Sequence, residues 1–277
     1  MLGMSEDLPL YRENQIMERG IPGRHKRVPP SMRASAAQKI RSADKVQKVL
    51  QDTDVLAIDV DGTITKDDGI DALAETECDA AISQEVKAWT AKAARGEVSI
   101  GEAIDERMRL LKPNATLVAS DHLREPNRLM PGAYEFIQHA CYYKKVPVYF
   151  VSAGLRANCI IVANMLDLPS PSDAVYGVEL VFNSFGEYVD WDTTSLTSQP
   201  RGKSQALTHI ANKIKSDPKT SNTSITIIGD GSADAAAKLD GAAANFIAFG
   251  DGAHRPKINR VADATAECFS TLLNNWH

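Results

Sequence analysis

Cysteine is scarce in this sequence: four in 277 residues, at positions 78, 141, 159 and 268, with no CxxC pair. A disulfide scaffold or a thiolate zinc site is therefore not expected. The thiols read as reduced, packed side chains of a cytosolic-type compartment, so the expected location is cytoplasmic. The six histidines are equally dispersed, which speaks against a zinc site built on imidazoles. No apolar run approaches the length of a membrane span. No excess of positive charge exists either: the formal net charge is −5. Neither nucleic acid nor an anionic membrane surface is expected as a partner. No secretory leader is visible, so the sequons at Asn114 and Asn222 carry little weight. The apolar fraction of 43% and charged fraction of 24% are those of an ordinary core-forming chain. Its length suits one large domain, or a core with a smaller insertion.

Residues 1–33 are expected to form an irregular arm, since "GIPGRHKRVPPS" mixes Gly, Pro and basic residues without periodicity. From there "AAQKIRSADKVQKVLQDT" sets Ile40, Val46 and Leu50 among Lys and Arg, the pattern of an amphipathic helix. Four apolar runs then read as strands: "VLAI", "VPVYFVSAG", "SITIIG" and "NFIAF". Helical patterns such as "GAYEFIQHACYYKK" and "CIIVANMLDL" lie between them. Alternating helices and two-sided apolar strands predict an α/β fold with a doubly wound parallel sheet. Residues 174–191 alternate around Gly186 and read as a β-hairpin insertion. Residues 67–128 are nearly all helix formers, broken once at "RGEVS". The expected division is a core of 34–66 and 129–277 with an inserted small helical cap of 67–128.

The charged residues fall at one place on such a fold. In open α/β sheets, ligands bind beyond the carboxyl ends of the strands. The stretch "VLAIDVDGTIT" ends its strand in Asp59 and Asp61; Ser152 ends a second strand; Asp230 ends a third, with Asp234 close behind. Lys203, in "PRGKSQAL", stands at a helix start. Each alone has a plain reading as a turn, cap or solvated residue. A P-loop is excluded, because Thr197 occupies the position of its first glycine. Together, clustered carboxylates would repel one another unless a cation held them. A hard divalent ion with oxygen ligands fits, Mg²⁺ best. With that ion and Lys203 neutralising charge, an aspartate can attack phosphorus, and a second can serve the leaving oxygen as acid.

In order and spacing, "DVDGT", the strand ending in Ser152, Lys203 and "GDGSAD" resemble the four motifs of the haloacid dehalogenase superfamily of phosphohydrolases. That resemblance implies Asp59 as nucleophile and Asp61 as acid/base, with Ser152 and Lys203 binding phosphate beside Ala153 and Gly154. It also implies Mg²⁺ held by Asp59, Asp230 and the main-chain carbonyl of Asp61, with Asp234 supporting from behind. Within the superfamily, "DDGIDALAE", "RGEVSIGEAIDERMRLLKP", "VSAGLRANCIIVANMLDLP" and "GEYVDWD" resemble the phosphoserine phosphatases from about Asp54 onward. The family then implies O-phospho-L-serine as substrate at the last step of serine biosynthesis, and a homodimer is the expected assembly. It assigns Asp68 to the substrate ammonium and Arg107 to its carboxylate. On the residues alone, Asp68 is equally a helix N-terminal acid and Arg107 equally part of a solvated face. Gly62, Asp68, Ala153, Ala233, Ala94 and Ile100 depart from the family's usual residues. They leave open another small phosphomonoester as substrate. Phosphoryl transfer to an alcohol is a separate alternative, and a silent binding module is disfavoured because Asp59, Asp61, Lys203 and Asp230 are all present.

Overall fold

The computed structural model describes residues 42–119, 125–215 and 223–277; the expected arm of 1–33 and Ile40 lie outside them. The described chain opens with helix α1, residues 42–51, which turns Val46, Val49 and Leu50 inward. Six strands then build one sheet: β1 (Val55–Ile58), β2 (Val148–Leu155), β3 (Val175–Val178), β6 (Ile225–Gly229), β7 (Asn245–Phe249) and β8 (Ala264–Ala266). Their order is β3-β2-β1-β6-β7-β8 and every pairing is parallel. The chain runs outward from β1 in both directions, so β1 marks the point where strand order reverses. That is where a crevice opens in sheets of this kind.

Both faces of the sheet are buried. Along β1 the side chains alternate: Leu56 and Ile58 enter one apolar cluster, Val55 and Ala57 the other. A period of two with apolar residues at every position is what two covered faces require. The first cluster receives α1, α5 (Ala133–Gln138), α6 (Arg156–Met165) and α9 (Phe269–Asn274). The second receives α7 (Gly202–Lys215) and α8 (Ser232–Leu239). Phe136 anchors the first cluster, wholly buried, with its ring 5.3 Å from Phe269 and 5.6 Å from Trp276.

Between β1 and β2 stand the helices α2 (Gly69–Glu77), α3 (Ala80–Arg95) and α4 (Ile100–Leu111). Each begins on a side-chain cap. Asp68, Asp79 and Ser99 accept hydrogen bonds from backbone N–H groups of the first turn. The expected break at "RGEVS" is present, with Gly96 left-handed at φ 72°. A second break at Cys78–Asp79 was not expected. Asp79 reads as one more polar residue in a helical run, yet its carboxylate starts a new helix by accepting from Ala81 and Ile82 N–H.

The 174–191 segment divides differently from the sequence expectation. Val175–Val178 is the parallel edge strand of the main sheet, paired with β2. The hairpin comprises only β4 (Leu180–Phe182) and β5 (Tyr188–Trp191). The residues of β3 are apolar enough to serve in either role; burial beside β2 decides it. The hairpin's Trp191 joins the apolar cluster of the inserted helices with Ile70, Val86 and Met108. Its indole N–H donates to Asp105 on α4 at 2.7 Å. Strand β8 was also unforeseen, because its three residues carry no apolar run. Phe136→Ala should lower the unfolding free energy by about 3–5 kcal/mol, read from denaturant titration of the full chain. A loss under about 1 kcal/mol would show that the first cluster is not anchored there.

Candidate active site

The site follows from strand register. Ile58 lies opposite Phe150 on one side and Ile228 on the other. Strands β1 and β6 end at this level, whereas β2 runs on to Leu155, so Ser152 lies within its strand and not at its end as the sequence suggested. Asp59 follows Ile58, Ser152 lies two residues past Phe150, and Asp230 two past Ile228. Asp59 donates its N–H to the Ile228 carbonyl at 2.9 Å, which holds it against β6.

Lys203 lies in the first turn of α7 and is 5% exposed. Its Nζ stands 2.7 Å from Asp59 Oδ1 and 2.7 Å from Asp234 Oδ1. Asp234 is fully buried, and its other oxygen accepts from Gly231 N–H at 3.0 Å. Asp59, Asp230 and Asp234 each bring one oxygen within 4.8 Å of the others. Among the described residues one other cation pairs with them, Arg255, half-exposed and 3.5 Å from Asp230. Burial drives the Asp59 carboxyl well above its ordinary range; Lys203 opposes this, and Asp234 and Asp230 add to it. Burial alone would lower the Lys203 ammonium, but Asp234 and Asp59 outweigh it and keep it charged. Burial and Asp234 likewise raise Asp230. An excess of carboxylate, in a donor set made only of oxygen, suits a hard divalent cation. Asp234 already spends both oxygens on Lys203 and Gly231, which leaves Asp59 and Asp230 the better-placed donors.

Asp61 takes no part in that carboxylate group. Its Oδ2 accepts from Ser152 Oγ at 2.9 Å and its Oδ1 from Gly69 N–H at 2.9 Å, at the start of α2. Burial pushes its carboxyl up to about 7, with Asp68 adding and the Ser152 and Gly69 bonds opposing. Ser152 is fully buried, and its hydroxyl accepts from Gly154 N–H at 2.8 Å. Ala153 sits half-buried between them. A Cβ on Gly154 would lie 2.6 Å from Asp61 Oδ2, so the carboxylate packs where only glycine leaves room.

Above this, Asp68 has two tasks. Its Oδ1 caps α2 by accepting from Ile70 and Asp71 N–H, and its Oδ2 lies 3.4 Å from Arg107 Nη1. The helix N-terminal reading of Asp68 is thus present in the structure. Arg107 is 4% exposed and donates to the Ala103 carbonyl and to Thr90 Oγ1. The solvated-face reading of Arg107 fails, because the guanidinium faces inward among the cap helices. Thr90 also donates to Asp71 at 2.6 Å. Sequence reasoning singled out neither Thr90 nor Asp71, since they meet Arg107 only through the packing of separate helices. Of the departures from the family's usual residues, Ala94 is exposed and Ile100 packs against the cap's apolar cluster.

Gly229→Ala would place a Cβ 2.3 Å from the buried Asp234 carboxylate. It should cost about 1–3 kcal/mol of stability by overpacking, measured by denaturant titration; an unchanged midpoint would show that Asp234 is not fixed.

No protein-family model matches the chain. It is 31% identical over 222 residues to a chloroplastic phosphoserine phosphatase of Arabidopsis thaliana, covering 80% of this chain and 71% of that one. It is 31% identical over 240 residues to the phosphoserine phosphatase of Drosophila melanogaster, covering 87% and 84% of the two chains. Among solved structures, a phosphoserine phosphohydrolase-like protein from Francisella tularensis superposes with a TM-score of 0.67 at 21% identity. That match covers 80% of this chain and 99% of the other, and bears on the fold. By the two sequence matches the chain belongs to the phosphoserine phosphatase family and is a phosphatase.

Proposed function

We propose that this chain is a Mg²⁺-dependent phosphatase that hydrolyses O-phospho-L-serine to L-serine and phosphate through an aspartyl-phosphate on Asp59. The observation that carries the reading is the separation of two carboxylates only two residues apart. Asp59 is tied to the Lys203 ammonium at 2.7 Å, while Asp61 is turned away to Ser152 and Gly69. One carboxylate thereby stands against a cation that opposes its protonation, and the other is held by a hydroxyl and a backbone N–H in a buried place that favours a proton.

Asp59 and Asp230, with the Asp61 main-chain carbonyl, are the residues that would hold Mg²⁺. When bound, it supplies charge neutralisation for phosphate oxygens. An Asp59 oxygen forms a bond to phosphorus as the bond to the seryl oxygen breaks. Lys203 offsets the charge on the transferring group. Asp61 gives its proton to the departing seryl oxygen. It then takes one from the water that attacks the aspartyl-phosphate, which releases phosphate and restores Asp59.

A zwitterionic head calls for one anion and one planar cation, which Asp68 and Arg107 provide. In this structure the two pair with each other across 3.4 Å, so substrate would exchange one internal contact for two. The cap, taken as 67–128, joins the core through two linkers that run side by side. Lys66 N–H donates to the Arg128 carbonyl at 2.9 Å, and Arg128 pairs with Asp67 at 3.0 Å. Rotation about this paired hinge would admit substrate and then exclude water. The reading places the enzyme at the last step of serine synthesis, in the cytoplasm, since the reduced thiols suit that compartment. No described helix is long and apolar enough to cross a membrane. One observation favours a second reading, a different small phosphomonoester: helix capping takes one of the two Asp68 oxygens.

Two measurements test the reading. Chelation of divalent metal should abolish phosphate release from O-phospho-L-serine, and added Mg²⁺ should restore it; release that persists in excess chelator would remove the metal from the mechanism. Arg107→Lys should lower kcat/KM for O-phospho-L-serine by about 10- to 100-fold, the worth of a charged hydrogen bond. Hydrolysis of p-nitrophenyl phosphate should change far less. Equal losses on both substrates would take the recognition role from Arg107.

A further inference from the structure

Asn158 is the polar side chain that the proposed chemistry leaves unused. It lies in the first turn of α6, just beyond the end of β2, which carries Ser152 and Gly154, and is 5% exposed. Neither atom of its carboxamide has a hydrogen-bond partner within the protein. A buried amide left so costs about 1–3 kcal/mol, so its surroundings bear on what it does. The carboxamide faces the first residue of α2: a Cβ built on Gly69 would lie 2.9 Å from Asn158 Nδ2. Gly69 is the residue whose N–H holds Asp61. Asn158, Asp61, Thr65, Gly69 and Arg128 line a cavity of about 10 Å³. That is about the space a single water centre occupies, and far too small for a substrate. Val60, Leu155, Cys159 and Val162 make the rest of its wall apolar, and Asn158 and Asp61, among its polar residues, would give a water there at least two partners.

We propose that this cavity is a binding site for one water molecule, through which Asn158 acts as a positioning residue for Asp61. The inference rests on the function proposed above, because it gives Asp61 its acid/base task. Asn158 belongs to the core and Gly69 to the cap, so the water completes a core–cap junction around the Asp61 carboxyl. Ser152 and Gly69 each hold one oxygen of that carboxyl from the protein side, and the water sets its tilt between them. No bond to substrate is involved, and recognition of the substrate head stays with the cap pair.

The test combines a structure with kinetics. A high-resolution crystal structure of the full chain should show an ordered water within hydrogen-bond distance of both Asn158 and Asp61. Asn158→Leu, close in volume and apolar, should lower kcat by roughly tenfold on both O-phospho-L-serine and p-nitrophenyl phosphate. KM should stay within about twofold. Asn158→Ser, which keeps a hydrogen-bonding group and leaves room for solvent, should recover most of that loss. A dry cavity would overturn the proposal. So would an Asn158→Leu protein that turns over at the wild-type rate with a raised Tm, the result expected of a merely unpaired amide. Should the leucine variant fail to fold, the wild-type cavity and the serine variant still decide. A wild-type protein inactive on both substrates would overturn the proposed function instead, and the crystallographic water would then judge the site by itself.

Discussion

The arrangement depends on one ammonium group. Lys203 is buried between Asp59 and Asp234, 2.7 Å from each, with Asp230 completing an acidic group around it. Removing such charges from water costs several kcal/mol per ion, and the cost is recovered only with good geometry and with the remaining lone pairs satisfied. Asp234 meets that condition wholly within the protein, through Lys203 and Gly231. Asp59 meets it at one oxygen, since Lys203 and the Val60 N–H both reach Oδ1. Asp230 has only Arg255 at 3.5 Å among side chains, so negative charge remains in excess. The site is therefore built for a further cation and for an anionic ligand that the cation can accept.

The rest of the fold can be read as the support of that group. Parallel strands in matched register bring Asp59, Ser152 and Asp230 to one edge, and covered faces make β1 rigid enough to hold two acids at its end. Glycine appears where carboxylates pack against backbone: Gly154 against Asp61, Gly229 against Asp234, and Gly62, at φ 75°, against Asp230. The cap helices contribute from above through a different device. Asp68 starts α2 and pairs with Arg107 at once, so the element that would recognise substrate is also the one that orders the cap's first turn.

Much of this was legible in the sequence, because apolar runs ending in Asp and Gly mark strand ends and strand ends mark the site, although Ser152, read as a strand end, lies within β2. The inserted helices were legible from composition, and their caps less so. Asp79 interrupts a helical run without any Gly or Pro to announce it. The edge strand at Val175–Val178 was read as part of the hairpin because alternation is the same in both; only pairing with β2 separates them. Thr90, Asp71 and Asn158 were invisible for a different reason. Each gains its meaning from a neighbour on another element, and no local pattern carries that information. Arg107 could be read as solvated until the packing of α3 against α4 turned it inward.

The central claim is that Asp59, and not Asp61, takes the phosphoryl group. Brief mixing of the metal-loaded protein with radiolabelled O-phospho-L-serine, followed by acid quench and peptide mapping, tests it directly. The account predicts label on the peptide bearing Asp59, released on further incubation and absent from Asp59→Asn. Rapid turnover with no label on the protein, or label that persists in Asp59→Asn, would contradict it.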